Sequence, residues 1–109
     1  MQSFYSTDEI RKRIKGRPLY EEFLRVPAMS CGIFVLQPGE LDLQQPHNED
    51  EIYFVISGSA RMRLIGDQPT EDRPIKAGDI IFVKAHDEHK FHDVKQELVL
   101  LVVFAPART

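Results

Sequence analysis

From residue 28 onward the chain is written in short apolar runs, each closed by glycine, proline, asparagine or aspartate. MSCGIFVL (29–36) runs into Pro38-Gly39, EIYFVIS (51–57) into Gly58, and DIIFV (79–83) follows Ala77-Gly78. In ARMRLI (60–65), Arg61 and Arg63 alternate with Met62 and Leu64, the period of a half-buried strand. LVLLVVF (98–104) closes the series. Regularly spaced strands separated by turn residues predict an all-β sandwich or barrel.

The N-terminal part reads differently. Residues 6–15 form a helix candidate, with Ser6 and Glu9 at capping-box spacing and Gly16 and Pro18 as stop signals. A second helical turn is expected at LYEEFLR (19–25). Residues 1–27 are therefore expected as a helical extension on a barrel of residues 28–109, one domain overall.

Two strands carry too much apolar surface for a barrel wall. Leu98 to Phe104 has no polar alternation, and Ile52, Phe54 and Ile56 give their strand a second apolar face. One face fills the barrel and the other must also leave water. The helix can cover part of it, and a homodimer contact is the expected cover for more.

The chain of 109 residues is 42% hydrophobic and 28% charged, a folded rather than a disordered composition. A net charge of −3 argues against a general nucleic-acid partner, and the basic run RKRIKGR (11–17) reads as a solvated helix face. The single cysteine, Cys31, excludes an intramolecular disulfide and multi-cysteine zinc sites, and reads as a small buried side chain. The opening MQSFYSTDEI lacks a signal-peptide pattern, and the longest apolar run (98–105) is too short for a membrane-spanning helix. A cytoplasmic protein without membrane contact is expected.

Against this β background stand Gln45, His47, Glu51 and His89. Asn48, Glu49 and Asp50 look like a turn, so His47 can end one strand and Glu51 begin the next, both facing inward, with Glu49 and Asp50 in solvent. A buried glutamate is costly unless a cation or several donors compensate it. Two imidazoles and a carboxylate suit iron(II), manganese, nickel or zinc. By spacing alone, a wet charged loop explains the same residues.

Residues 39–58 resemble the first motif of the cupins, G-x5-H-x-H-x3-4-E-x6-G. Gly39 opens it, Gln45 takes the first His place, His47 the second, and Glu51 and Gly58 follow. Residues 78–93 resemble the second motif, G-x5-P-x-G-x2-H-x3-N. Gly78 opens it, with Lys84 at the Pro place, His86 at the Gly place, His89 at the His place and Asp93 at the Asn place.

The resemblance covers roughly residues 30–105 and implies a double-stranded β-helix, a jelly-roll barrel. It also implies that His47, Glu51 and His89 ligate one divalent metal ion, with Gln45 as a fourth ligand or a partner of metal-bound water. Tyr53 and Val55 share the face of Glu51, and Phe91 and Asp93 that of His89, so Tyr53 and Phe91 are candidate pocket walls or ordinary core. Glu51 and Tyr53 are the candidate catalytic groups. His86 is expected as a solvated loop residue and His92 on the exterior.

The function implied is a small cupin that binds a small organic ligand beside the metal and performs dioxygenase-type oxidation. A non-catalytic ligand-binding or sensing barrel, and a metal-dependent sugar or keto-acid isomerase, are the alternatives.

Overall fold

The computed structural model describes residues 2–15, 19–66 and 69–109, and these residues form one short helix and six strands. They run α1 (Thr7–Arg13), β1 (Tyr20–Val26), β2 (Met29–Leu36), β3 (Asp50–Ile65), β4 (Glu71–Lys76), β5 (Ile80–Val83) and β6 (Glu88–Ala105). All pairings are antiparallel, in the order β1-β2-β6-β3-β4, with β5 also on β3. The fold is the expected double-stranded β-helix with a short N-terminal helix.

Two long strands organise it. EIYFVIS and ARMRLI, which read as separate strands, are halves of β3, and LVLLVVF is only the second half of β6. β6 lies along one edge of β3, while β5 and then β4 occupy the other. Three register shifts between Val55 and Arg61 bend the pair. The bend needs Gly58, whose φ is +90° and whose added Cβ would lie 2.1 Å from the Glu97 carbonyl oxygen.

The interior of the roll is packed by Tyr53, Val55, Met62, Phe91, Leu98 and Leu100, among others. Outside the sheet, Ile10 and Ile14 meet Ile33, Val35 and Val99 in a second cluster. Arg11 of α1 pairs with Glu97 of β6 and fastens this cover. Ser6 caps the helix by accepting from the Glu9 amide at 3.2 Å. The expected stop residues Gly16 and Pro18 lie outside the described residues. Ile52, Phe54, Ile80 and Phe82 remain exposed on the outer face beyond the helix.

Three expectations are corrected. The segment LYEEFLR is not helical, so the extension over residues 1–27 is not helical throughout. Tyr20–Val26 is strand β1, paired to β2 with a bulge between Glu22 and Leu24 that breaks the period-2 pattern. His47 does not end a strand, because residues 37–49 form an irregular connection between β2 and β3. Asp93 does not share the inner face with His89 and Phe91. Its φ of +51° resets the alternation, leaving Asp93 exposed and Val94 buried. No helix among the described residues is long and apolar enough to cross a membrane.

Candidate metal centre

Three of the four singled-out residues meet. Glu51 opens the inward row of β3 at 2% exposure, His89 opens that of β6 at 3%, and His47 arrives half-buried from the 37–49 connection. One donor atom from each lies within 4.8 Å of the others. The two imidazole rings are 5.7 Å apart, and His47 stands edge-on to Phe104 at 5.0 Å.

Gln45, by contrast, is exposed. The connection turns Gln44 toward the cluster instead. Asp42 sets this orientation. Its buried carboxylate accepts from the Phe91 amide at 2.9 Å, the Gln44 amide at 3.0 Å and Gln44 Nε2 at 3.1 Å. With Nε2 committed, Gln44 Oε1 faces the Tyr53 hydroxyl at 2.9 Å and His47 Nε2 at 3.5 Å. Lys90 Nζ also donates to the Gln44 carbonyl.

Sequence reasoning missed Asp42 and Gln44. Their only signal is the alternation Leu41-Asp42-Leu43-Gln44, and it runs against the usual rule. Leu41 and Leu43 are 75% and 72% exposed, while the polar pair turns in.

The remaining contacts fix the rings. His89 Nδ1 is 3.2 Å from the Asp87 carbonyl oxygen, which can only accept. Nδ1 therefore carries the proton, and Nε2 is left with its lone pair toward the cluster. That Nε2 is 3.1 Å from the Tyr53 hydroxyl and 3.4 Å from Glu51 Oε1. His47 is held through its backbone, whose carbonyl accepts from the His86 amide at 2.7 Å. Asp50 ties down the same turn by accepting from the Ala85 amide at 2.9 Å.

Glu49 is not in solvent as expected. It is 4% exposed because one of its carboxylate oxygens accepts from the Thr109 amide at 3.0 Å and hydroxyl at 2.8 Å. His86 is exposed as a loop residue, and His92 is half-buried outside the cluster against Asp72 at 2.9 Å. Phe91 is core, edge-on to Tyr53 at 4.9 Å, and Cys31 is buried and free.

The electrostatics follow from burial. It raises the Glu51 carboxyl to about 7, an effect that the Tyr53 hydroxyl and the Arg108 charge oppose. Burial, then Arg108 and His89, lower His47 to about 4. Burial also lowers His89, and it lifts the Tyr53 hydroxyl well above its ordinary range. Both imidazoles are thus held neutral, the form that ligates.

Both Glu51 carboxylate oxygens are buried without a hydrogen-bond partner among the described residues. Such an orphaned carboxylate is costly to maintain. A divalent cation between it and two neutral imidazoles satisfies all three groups, so the residues fit a metal.

Beside the cluster is a cavity of about 280 Å³ whose lining includes Tyr20, Phe34, Gln44, Glu51, Phe104 and Arg108. A larger hollow of about 460 Å³ lies by β4 and β5, between Leu64, Pro74 and Ile80, and contains none of the three clustered residues.

The family model described as the Cupin domain matches residues 32–104. An uncharacterised protein of Streptomyces coelicolor is 37% identical over 106 residues, 97% of each chain. Among solved structures, an uncharacterised conserved protein with a double-stranded β-helix domain from Klebsiella pneumoniae is similar at a TM-score of 0.80. It has 22% identity, with 97% of this chain and 91% of that one covered. The enzyme Fe(II)-HppE, crystallised with an alternative substrate, is similar at a TM-score of 0.65 and 18% identity. The likeness covers 78% of this chain and 48% of that one. At these identities the two structures speak for the fold.

Proposed function

The chain belongs to the cupin family, and from that premise we propose that it is a metal-dependent oxidoreductase of dioxygenase type. It holds one divalent metal ion on His47, Glu51 and His89 and a small organic ligand in the adjoining cavity. The observation that carries this reading is the orphaned carboxylate of Glu51, 2% exposed and facing two neutral imidazoles.

The exposure of Gln45 sharpens the choice of chemistry. The His and carboxylate side chains that meet are two histidines and one glutamate, an arrangement suited to iron(II) with open positions for ligand and dioxygen. The similarity to Fe(II)-HppE agrees with iron as the first metal to test. When bound, the metal supplies Lewis acidity and a template for the ligand. The chain supplies the rest. Asp42 and Gln44 orient the Tyr53 hydroxyl, the Asp87 carbonyl fixes the His89 tautomer, and Phe34 and Phe104 keep the cavity wall apolar. Tyr53 donates to Gln44 Oε1, which lines the cavity. Among the described cavity-lining residues Glu51 is the only carboxylate, which favours oxidation over an isomerase that needs a second carboxylate as base.

Elemental analysis of untagged protein after anaerobic reconstitution with iron(II), manganese, nickel or zinc tests the site. One metal per chain is expected for the wild type, with loss in His47→Ala and Glu51→Ala. Substoichiometric metal in the wild type under every condition sinks the proposal. If metal is bound, oxygen uptake with diketones, catechols and thiols tests the oxidation. Metal without uptake favours the ligand-binding or sensing module.

A further inference from the structure

The cavity next to Glu51 contains a second group of atoms that the metal centre does not use. Tyr20 reaches it from β1, and its hydroxyl is buried without a hydrogen-bond partner among the described residues. Arg108 reaches it from the chain beyond β6. Among the described residues its guanidinium has no carboxylate partner and makes two ring contacts, 5.7 Å from the Tyr20 centroid and 5.5 Å from that of Phe104. The Arg108 backbone is fixed on both sides. Its amide donates to Ser30 Oγ at 3.0 Å, and its carbonyl accepts from an Arg25 Nη at 2.8 Å.

Cation–π contact with two aromatic rings holds the guanidinium at the cavity, and no described carboxylate takes up its N–H groups, which suit a planar, bidentate acceptor. A lone buried hydroxyl beside it supplies one further donor. A divalent cation at the centre would leave the cavity with an excess of positive charge, which an anionic ligand neutralises. At about 280 Å³ the space lies below the ordinary range of about 300–1,000 Å³ for drug-sized ligands.

We propose that the ligand is a small organic acid whose carboxylate is bound by the Arg108 guanidinium and the Tyr20 hydroxyl, while its other end faces the metal centre. The inference deepens the function proposed above and rests on it for the metal-facing end and the excess of positive charge, while the carboxylate end stands on the Arg108 and Tyr20 geometry. Arg108 and Tyr20 are then the residues that select for charge at one end of the ligand.

The test uses metal-free protein, so it reads the carboxylate end by itself. The full chain is titrated with succinate, neutral succinamide and inorganic phosphate, following by NMR the backbone amide resonance of Phe104, which lines the cavity and is kept in every variant. Succinate is expected to shift it saturably and succinamide not to. Arg108→Gln, with unchanged circular dichroism, is expected to weaken succinate binding about tenfold or more, and Tyr20→Phe severalfold, consistent with a charge-assisted pair and a neutral donor. Arg108→Lys, which keeps the charge but not the fork, should fall between wild type and Arg108→Gln.

Equal succinate affinity in wild type and Arg108→Gln overturns the proposal. So does binding of succinamide as tight as succinate, or of phosphate tighter than succinate. Arg108-dependent succinate binding in a protein that takes up no metal sinks the metal reading and leaves the carboxylate site standing. Stoichiometric metal with no effect of Arg108 on succinate does the reverse.

Discussion

Tyr20 and Gly32 share one space: a Cβ at position 32 would lie 2.3 Å from both Cζ and the hydroxyl oxygen of the Tyr20 ring. The ring crosses from β1 onto β2 because residue 32 has no side chain, and this places the hydroxyl in the cavity beside Glu51. Gly32→Ala should therefore displace Tyr20. Urea unfolding is expected to show a loss of roughly 1–3 kcal/mol, the usual cost of overpacking. Adding Tyr20→Leu should recover part of it. An unchanged midpoint in Gly32→Ala would show that the ring has another place to go.

Burial of Glu51 gives the metal-free protein a pH signature. The carboxyl titrates at about 7 when folded, against an ordinary 4.5. As pH rises between these values the unfolded chain releases a proton that the folded chain keeps, so stability falls with rising pH. Above 7 the penalty is complete, on the order of 3 kcal/mol. His47 works from the other side. Its folded value of about 4 lies below the ordinary 6.5, so stability falls as pH drops through that window. Glu51→Gln should lose the alkaline limb and retain the acid one, read from urea midpoints between pH 5 and 8. Parallel pH profiles for the two proteins would contradict this account.

His86 sits at φ +72°, in the left-handed region where a side chain is strained. Its amide still has to reach the His47 carbonyl, so the turn cannot relax without moving a candidate ligand. His86→Gly is expected to be neutral or stabilising by up to about 1 kcal/mol, with metal content unchanged. His86→Val, β-branched at the same φ, should cost about 1–2 kcal/mol. Thermal melts of the pair measure the difference, and equal stability would show that the strain is absent.

Ile52 pairs with Phe82 and Phe54 with Ile80, so four exposed apolar side chains form one continuous patch across β3 and β5. A contiguous patch of this kind marks an interaction surface, and a two-fold contact with a second copy buries the same residues on both sides. Sedimentation should show a dimer for the wild type and a monomer for Phe82→Lys, with circular dichroism unchanged. A wild-type monomer at all accessible concentrations, or a dimer that survives Phe82→Lys, removes this face from consideration.

What was legible before the structure, and what was not, has a physical division. The strands after residue 28 announced themselves because their apolar runs end at turn residues. The motif positions also make local sense. Gly58 takes a positive φ, and so do His86 and Asp93, where the motif has glycine and asparagine. β1 was hidden because its bulge breaks the alternation, and Glu21, Glu22 and Leu24 also suit a helix. β4, Glu71–Lys76, was hidden because it has one buried apolar residue, Ile75. Asp42 and Gln44 were hidden because two exposed leucines flank them. Their roles come from hydrogen bonds to residues far along the chain, such as the Phe91 amide, which no local pattern records.

Glu51 and His89 stand on paired strands, whereas His47 and Gln44 stand on a connection that belongs to no strand. Selection can therefore treat the two halves of the centre differently. Changes in the connection that spare Asp42, which accepts from the Phe91 amide of β6, are expected to leave the β3–β6 pairing intact while altering how firmly His47 is offered. The paired strands fix where Glu51 and His89 stand, and the connection fixes how His47 and Gln44 are presented to them.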